Sequence, residues 1–162
     1  MNGTNLRRKM GNTNNCDYRV SLIIPIYNKA EWLDTCFQSI LNQSIDPQMV
    51  EVLMIDDGSE DNSLDIMKRY SEKYSNFKCY TKENGGPAQA RNFGIKHATG
   101  KYLMYLDPDD YLGKNTIESV CNFFDRHYDE IDVVTYKIIP IKDGEEQDLH
   151  FRYEVLKSQG VY

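Results

Sequence analysis

The hydrophobic residues of this chain occur in short runs, separated by segments in which they recur every three or four positions. The first, second and fourth runs are typical of strands buried on both faces, and the spaced positions predict amphipathic helices. The predicted strands are RVSLIIPIYN (19–28), VEVLMIDDGS (50–59), FKCYTK (77–82), KYLMYLD (101–107) and IDVVTYKIIPI (131–141). Strand and helix therefore alternate along the chain.

Each of the four intervening helices has a start signal and one apolar face. Asn28 with Glu31, and Asn115 with Glu118, have the spacing of a capping box. A pair of glycines and Pro87 precede the third helix, and a glycine follows it. The residues expected in the core are Trp32, Leu33, Phe37, Ile40, Leu41, Leu64, Met67, Tyr70, Ile117, Val120, Cys121, Phe124 and Tyr128.

The alternation predicts the α/β class. We expect a Rossmann-like, mostly parallel central sheet with helices on both faces, because each helix is long enough to connect two parallel strands. Residues 1–18 are polar and are expected to form a flexible leader, and 19–139 are expected to form the core. Residues 140–162 are polar and give no clear pattern.

Composition narrows the class of protein. The chain has 162 residues, of which 40% are hydrophobic and 27% charged, as in one compact globular domain. Its net charge of −6 argues against general binding to nucleic acid.

The four cysteines lie far apart without a CxxC pair, which favours reduced thiols over a zinc site. The longest apolar run is too short to cross a bilayer, and the basic patch at 6–9 is weak support for contact with a membrane surface.

The candidate chemistry lies where the predicted strands end. Ligands of parallel sheets bind beyond the carboxyl ends of the strands. We therefore expect this rim of the sheet to carry four segments, PIYN, DDGS, KENGG and DPDD. Asp107, Asp109 and Asp110 would raise one another's pKa unless a cation or hydrogen-bond donors keep them ionised. Mg²⁺ and Mn²⁺ prefer oxygen ligands and combine one or two carboxylates with phosphate oxygens. A divalent cation with a nucleoside diphosphate would fit this rim, although a solvated turn would also explain the acids.

The other rim residues also allow two interpretations. Asp56 and Asp57 suit a turn or a helix cap, and since neighbours on a strand alternate sides, only one of them should face a ligand. Arg91 could bind a phosphate, pair with a carboxylate such as Asp107, or lie on the surface. Tyr27 could flank a base or pack against the protein.

Three segments together carry a resemblance to a known family. SLIIPIYNKAEWLDTCFQSILNQS, VEVLMIDDGSEDNS and ENGGPAQARNFGIKHATGKYLMYLDPDDYL resemble the nucleotide-sugar half of family two glycosyltransferases, whose fold is called GT-A. The resemblance runs from Arg19 to Tyr136 and is specific because several motifs agree in order and spacing. Its members include bacterial capsule and wall-polymer sugar transferases.

The resemblance implies a role for each nucleoside-side residue. Pro25 and Tyr27 would line the nucleoside pocket. Asp57 would accept a hydrogen bond from the base, usually uracil, with Asp56 as its neighbour. Asn84 would lie near the nucleotide.

On the diphosphate side, the resemblance implies that Arg91 lies near the phosphates and orients Asp107. Asp107 would contact the ribose, or the metal through water, and Asp109 would be the principal Mn²⁺ or Mg²⁺ ligand. Asp110 would give structural support.

The implied activity is metal-assisted transfer of a sugar, with inversion, from a nucleotide-diphosphate donor such as a UDP-sugar to a glycan or lipid-linked acceptor. The resemblance places the catalytic base in a later segment, so no catalytic residue is assigned. Glu145, Glu146 and Asp148 are candidates by chemistry only. We expect 140–162 to be the truncated start of an acceptor-side region, and the chain to be a fragment without its base. Nucleotide-sugar pools favour a cytoplasmic location, at the inner face of the membrane if the acceptor is lipid-linked.

Alternatives remain at this stage. A sugar-nucleotide-binding module without turnover would have the same motifs. A response-regulator receiver also has paired aspartates after a buried strand, and an aspartate-nucleophile phosphatase has a DxD, but both place these acids on the first strand. An NAD-dependent enzyme would need a glycine-rich turn after its first strand, where this chain has PIYN.

Overall fold

Four parallel strands form the sheet in the computed structural model, which describes residues 18–133. The strands are β1 (Val20–Ile26), β2 (Val50–Asp56), β3 (Phe77–Thr81) and β4 (Tyr102–Tyr105). The helices are α1 (Ala30–Leu41), α2 (Ser63–Lys73), α3 (Pro87–His97) and α4 (Thr116–Arg126), with a 3₁₀ turn at Pro47–Met49. The predicted leader, most of the predicted fifth strand and the 140–162 segment lie outside the described residues.

Helices cover both faces of the sheet. On one face α1, α2 and α4 pack on alternate strand residues that include Leu22, Ile24 and Met54. On the other face α3 packs on Ile23 and Leu53. All seven residues of β1 and of β2 are buried, so the predicted α/β architecture is confirmed.

The strand order is β3-β2-β1-β4, and this order creates a crevice. The chain moves from β1 to β2 to β3 through α1 and α2 on one face, and then returns through α3 on the opposite face to pair β4 with the free side of β1. Connections therefore diverge between β1 and β4. Ligands of open α/β sheets bind at the carboxyl ends of strands next to such a point.

The two predicted capping boxes are wrong. Neither Asn28 nor Asn115 caps its helix through its side chain. Residues distant in sequence do so instead, since the N–H of Ala30 donates to the Asp61 carboxylate at 3.0 Å and the N–H of Ile117 donates to the Gln43 amide oxygen at 3.0 Å.

Several burial predictions also need correction. Trp32 is 46% exposed, because α1 turns Leu33 and Phe37 toward the sheet instead. Tyr128 is 62% exposed, because α4 ends at Arg126 and does not include it. Leu64 is only half-buried, and alternate residues of β4 are exposed, so β4 is buried on one face.

The cysteine prediction holds for the buried thiols. Cys36 and Cys121 are free and buried, and burial raises their pKa to about 12 and about 11 respectively. Both thiols therefore stay protonated and act as small apolar core residues. No helix within residues 18–133 has both the length and the apolar character needed to cross a membrane.

Candidate functional site

A small pocket lies at the carboxyl ends of β1 and β2. It has a volume of about 150 Å³ and is lined by Pro25, Ile26, Tyr27, Asp57, Asn84, Gly86 and Pro87. Ligand pockets commonly measure about 300–1,000 Å³, so this one can hold a base or another part of a ligand while the rest lies along the open rim. Four of the predicted nucleoside-side residues, Pro25, Tyr27, Asp57 and Asn84, thus meet in one place.

Asp57 is the buried acid of this pocket. Its carboxylate accepts hydrogen bonds from the ammonium of Lys82 and from the N–H groups of Gly85 at 3.0 Å and Gly86 at 2.7 Å. Gly86 has φ of 85°, a backbone conformation that favours glycine. These contacts keep a charged acceptor at the pocket wall and fix the loop that leads into α3.

Asp56 points elsewhere. Its carboxylate accepts the N–H of Ser59 at 3.0 Å and the hydroxyl of Thr81 at 2.8 Å. The side chain is buried and does not line the pocket. Of the two neighbouring aspartates, only Asp57 reaches the ligand side, and Asp56 closes the turn after β2.

Two of the three carboxylates in the acidic turn after β4 are paired with cations of the same chain. The Arg91 guanidinium donates to Asp107 at 2.5 Å, and the Lys29 ammonium donates to Asp109 at 2.7 Å. The hydrogen bond from Lys29 is the main cause that lowers the pKa of Asp109. Burial, with the charges of Asp109 and Asp107, raises the pKa of Asp110. The turn therefore carries three carboxylates in different electrostatic environments.

Two chain segments connect this turn to the pocket. Lys29 follows Tyr27 by two residues in the loop after β1, and Arg91 lies one helical turn after Pro87 in α3. Each segment therefore contributes one residue to the pocket and one cation to the acidic turn. The pocket and the acids belong to one continuous site.

Lys29 and Lys82 are the functional residues that the sequence reasoning missed. Both follow the carboxyl end of a strand, which is the position that singled out the acids. A lysine at such a position is a signal for a carboxylate or phosphate partner. The candidate bases Glu145, Glu146 and Asp148 lie outside the described residues.

The acidic turn fits a divalent ion only in part. Among residues 18–133, no group of three or more histidine, cysteine, aspartate or glutamate side chains is arranged to hold a metal. A Mg²⁺ or Mn²⁺ site that shares phosphate oxygens needs only one or two carboxylates, which Asp107 and Asp109 can supply. The ion would have to replace Lys29 at Asp109.

A parallel sheet in this order, with a pocket beyond its central strands and an acidic turn after β4, is the architecture of GT-A glycosyltransferases. Residues 21–160 match the sequence model of glycosyl transferase family 2, and the chain belongs to that family. The predicted resemblance is confirmed. Receivers of the CheY type have a different strand order, 2-1-3-4-5, which excludes that alternative.

Curated relatives act in bacterial wall-polymer synthesis. The chain is 43% identical over 128 residues to the minor teichoic acid biosynthesis protein GgaB of Bacillus subtilis, a match that covers 78% of this chain and 14% of that protein. It is 36% identical over 115 residues to the poly(ribitol-phosphate) beta-glucosyltransferase of Bacillus spizizenii, covering 70% of this chain and 18% of the relative. The chain spans less than a fifth of either protein.

Solved structures show the same fold. S. aureus TarS 1–349 in complex with UDP-GlcNAc matches with a TM-score of 0.64 and 30% identity, over 81% of this chain and 37% of that one. The mannosyltransferase PcManGT from Pyrobaculum calidifontis, in complex with GDP-Man and Mn²⁺, matches with a TM-score of 0.60 and 25% identity, over 65% and 32% of the two chains.

Proposed function

We propose that this chain forms the donor-binding part of a glycosyltransferase that moves a sugar from a UDP-sugar to a wall-polymer glycan or lipid-linked acceptor, with inversion. The observation that carries the proposal is the pocket formed by Tyr27, Asp57 and Asn84 beside the acidic turn of Asp107 and Asp109. UDP and UDP-GlcNAc complexes of TarS and the names of the wall-polymer relatives support this donor and this acceptor. A cytoplasmic location would follow from the donor.

The pocket is suited to a uracil base. A carboxylate oxygen is a hydrogen-bond acceptor, so the Asp57 side chain can accept the imide N–H of uracil. Tyr27 is half-exposed at the pocket and can flank the base, and Pro25 is a further lining residue. Asn84 adds a polar side chain that can donate to the nucleotide.

The acidic turn would hold the diphosphate end of the donor. A bound Mn²⁺ or Mg²⁺ would neutralise the charge that builds on the departing diphosphate. Asp109 is the principal ligand in this proposal, and Asp107 is the second acid, oriented by Arg91 at 2.5 Å. Asp107, Asp109 and Arg91 thereby act on the leaving group, and a separate carboxylate base would deprotonate the acceptor hydroxyl.

Calorimetric titration with UDP tests the proposal. We expect UDP to bind, and to bind more tightly with Mn²⁺ than with excess EDTA. Asp57→Asn should weaken UDP binding about tenfold or more, since a hydrogen bond to a charged group contributes about 1.5–3 kcal/mol. The preference for UDP over CDP should also shrink, because cytosine has no N–H at the corresponding ring position.

Asp65→Asn, an exposed change on α2, is the matched control and should leave UDP affinity unchanged. An equal loss of UDP and CDP affinity in Asp57→Asn would mean that Asp57 only supports the loop. Absence of UDP binding to the unmodified chain would overturn the proposed function.

A further inference from the structure

Lys29 is the cation nearest to the proposed metal ligand. Its ammonium lies 2.7 Å from Asp109 Oδ2, and both side chains are partly exposed. The charge of Asp107 also acts on Lys29. Lys29 therefore lies at the place where a divalent ion would have to bind.

The backbone of Lys29 is held while its side chain can move. Its N–H donates to the hydroxyl of Ser63 at 3.0 Å, which fixes the loop between β1 and α1. Its ammonium donates to Asp109 in a partly exposed ion pair, of the kind that contributes little to stability. The ammonium can therefore leave Asp109 at small cost without disturbing the fold.

Two cations cannot share Asp109 without repelling each other. A divalent ion that binds Asp109 would displace the Lys29 ammonium, while the diphosphate that arrives with the ion would offer it new acceptors. The lysine lies two residues after the pocket residue Tyr27, and its side chain reaches from the loop after β1 to the acidic turn.

We propose that Lys29 is a switching cation: it neutralises Asp109 in the donor-free protein and moves to the donor diphosphate when a divalent ion takes its place. This inference rests on the proposed function. Lys29 is thereby a donor-binding residue in one state and a competitor of the ion in the other. The two roles predict effects of opposite sign from one substitution.

The first measurement is Mn²⁺ binding without nucleotide. Electron paramagnetic resonance of the free ion reports how much Mn²⁺ remains unbound. Lys29→Met removes the competitor and should tighten Mn²⁺ binding about two- to fivefold, the range expected for an exposed ion pair. Lys68→Met is the matched control, because Lys68 pairs with Asp65 on the surface of α2 at 4.0 Å. It should leave Mn²⁺ binding unchanged.

The second measurement is UDP binding at saturating Mn²⁺, with the same variants. Lys29→Met should bind UDP about tenfold more weakly, because it loses a hydrogen bond between two charged groups. Lys29→Arg keeps the charge and should retain most of the affinity. Lys29→Gln provides a second neutral variant, and thermal unfolding verifies that each protein is folded.

The outcomes separate the two proposals. Tighter Mn²⁺ binding together with weaker UDP binding supports the switch. Unchanged or weaker Mn²⁺ binding, or unchanged UDP affinity, in folded Lys29→Met overturns it while leaving UDP binding by the unmodified chain intact. Failure of the unmodified chain to bind UDP would instead overturn the proposed function, and the switch with it.

Discussion

Glu51 is a fully buried carboxylate near the amino end of the interior strand β2, whereas the site lies at the carboxyl ends of the strands. It accepts hydrogen bonds from Ser21, from Lys78 at 2.5 Å, and from the N–H and hydroxyl of Thr99 at 2.8 and 2.9 Å. Burial raises its pKa, but these bonds together outweigh burial and hold the pKa below its ordinary value of 4.5. The charge is stable in the core because every nearby donor points at it.

The lowered pKa predicts how stability depends on pH. A carboxylate with a depressed pKa in the folded state stabilises the fold fully above its unfolded pKa, and this stabilisation is lost as pH falls through the folded pKa. Glu51→Ala should cost about 1–3 kcal/mol at pH 7, because it leaves the donors of Ser21 and Thr99 without their buried acceptor. Urea unfolding should show the difference from the unmodified chain shrinking below pH 4.5.

The control for Glu51 is Glu72→Ala on the exposed side of α2, which should change stability by no more than about 0.5 kcal/mol at either pH. A Glu51→Ala penalty that stays constant from pH 7 to pH 3 would contradict the assignment of this stability to the charged carboxylate.

At the scale of elements, the loop after β1 and the loop after β2 are tied to each other. We call this contact the loop clasp; its residues are Asn28, Lys29, Ala30, Ser59, Glu60, Asp61 and Ser63. The Asn28 amide oxygen accepts the N–H of Glu60 at 2.8 Å, and Asp61 caps α1. Since Tyr27 and Asp57 flank these loops, the clasp sets the spacing of two pocket walls.

Asn28 has φ of 51°, a left-handed conformation, so two substitutions separate its backbone role from its side-chain role. Asn28→Gly loses the amide oxygen but adopts this conformation freely, whereas Asn28→Ala loses the oxygen and is also strained by roughly 1–2 kcal/mol. We expect urea unfolding to give the highest free energy of unfolding for the unmodified chain, a lower one for Asn28→Gly and the lowest for Asn28→Ala. Both variants should bind UDP more weakly.

Equal stability of the two Asn28 variants would show that the strained backbone relaxes when the clasp is broken. Undiminished UDP affinity in both would show that the clasp does not position the pocket.

At the scale of the whole molecule, α3 approaches the sheet closely at Gly94. A Cβ built there would lie 2.5 Å from Cγ2 of Ile23, so only glycine allows this separation between α3 and β1. The same helix carries Pro87 of the pocket and Arg91 of the acidic turn. The distance between helix and sheet therefore controls the geometry of the site.

Gly94→Ala should push α3 away from the sheet and destabilise the fold by about 1–3 kcal/mol, as overpacked cores do. It should also weaken UDP binding, measured by calorimetry, because Pro87 and Arg91 move with the helix. Asn92→Ala on the exposed side of α3 should be neutral or slightly stabilising. A fully stable Gly94→Ala variant would show that Ile23 can repack.

The sequence predicted which strand-end residues lie together, because one local rule was sufficient for that. Parallel strands end at one edge of their sheet, so Pro25, Tyr27, Asp57 and Asn84 were expected to meet, and they line one pocket. The sequence-based prediction of helix caps failed, because the capping residues come from distant segments. Gln43 and Asp61 cap helices that Asn115 and Asn28 were expected to cap, because the four orphan N–H groups of a helix accept any well-placed oxygen.

The strands, the helices and the class of the fold follow from local periodicity, because burial of one or both faces of an element imposes a repeat of hydrophobic residues along the chain. Only the tertiary structure decided that α3 returns to the far side of β1, and that Lys29 and Lys82 neutralise Asp109 and Asp57. Which charged groups become neighbours depends on strand order and on loops closing over each other. A local pattern does not encode such long-range distances.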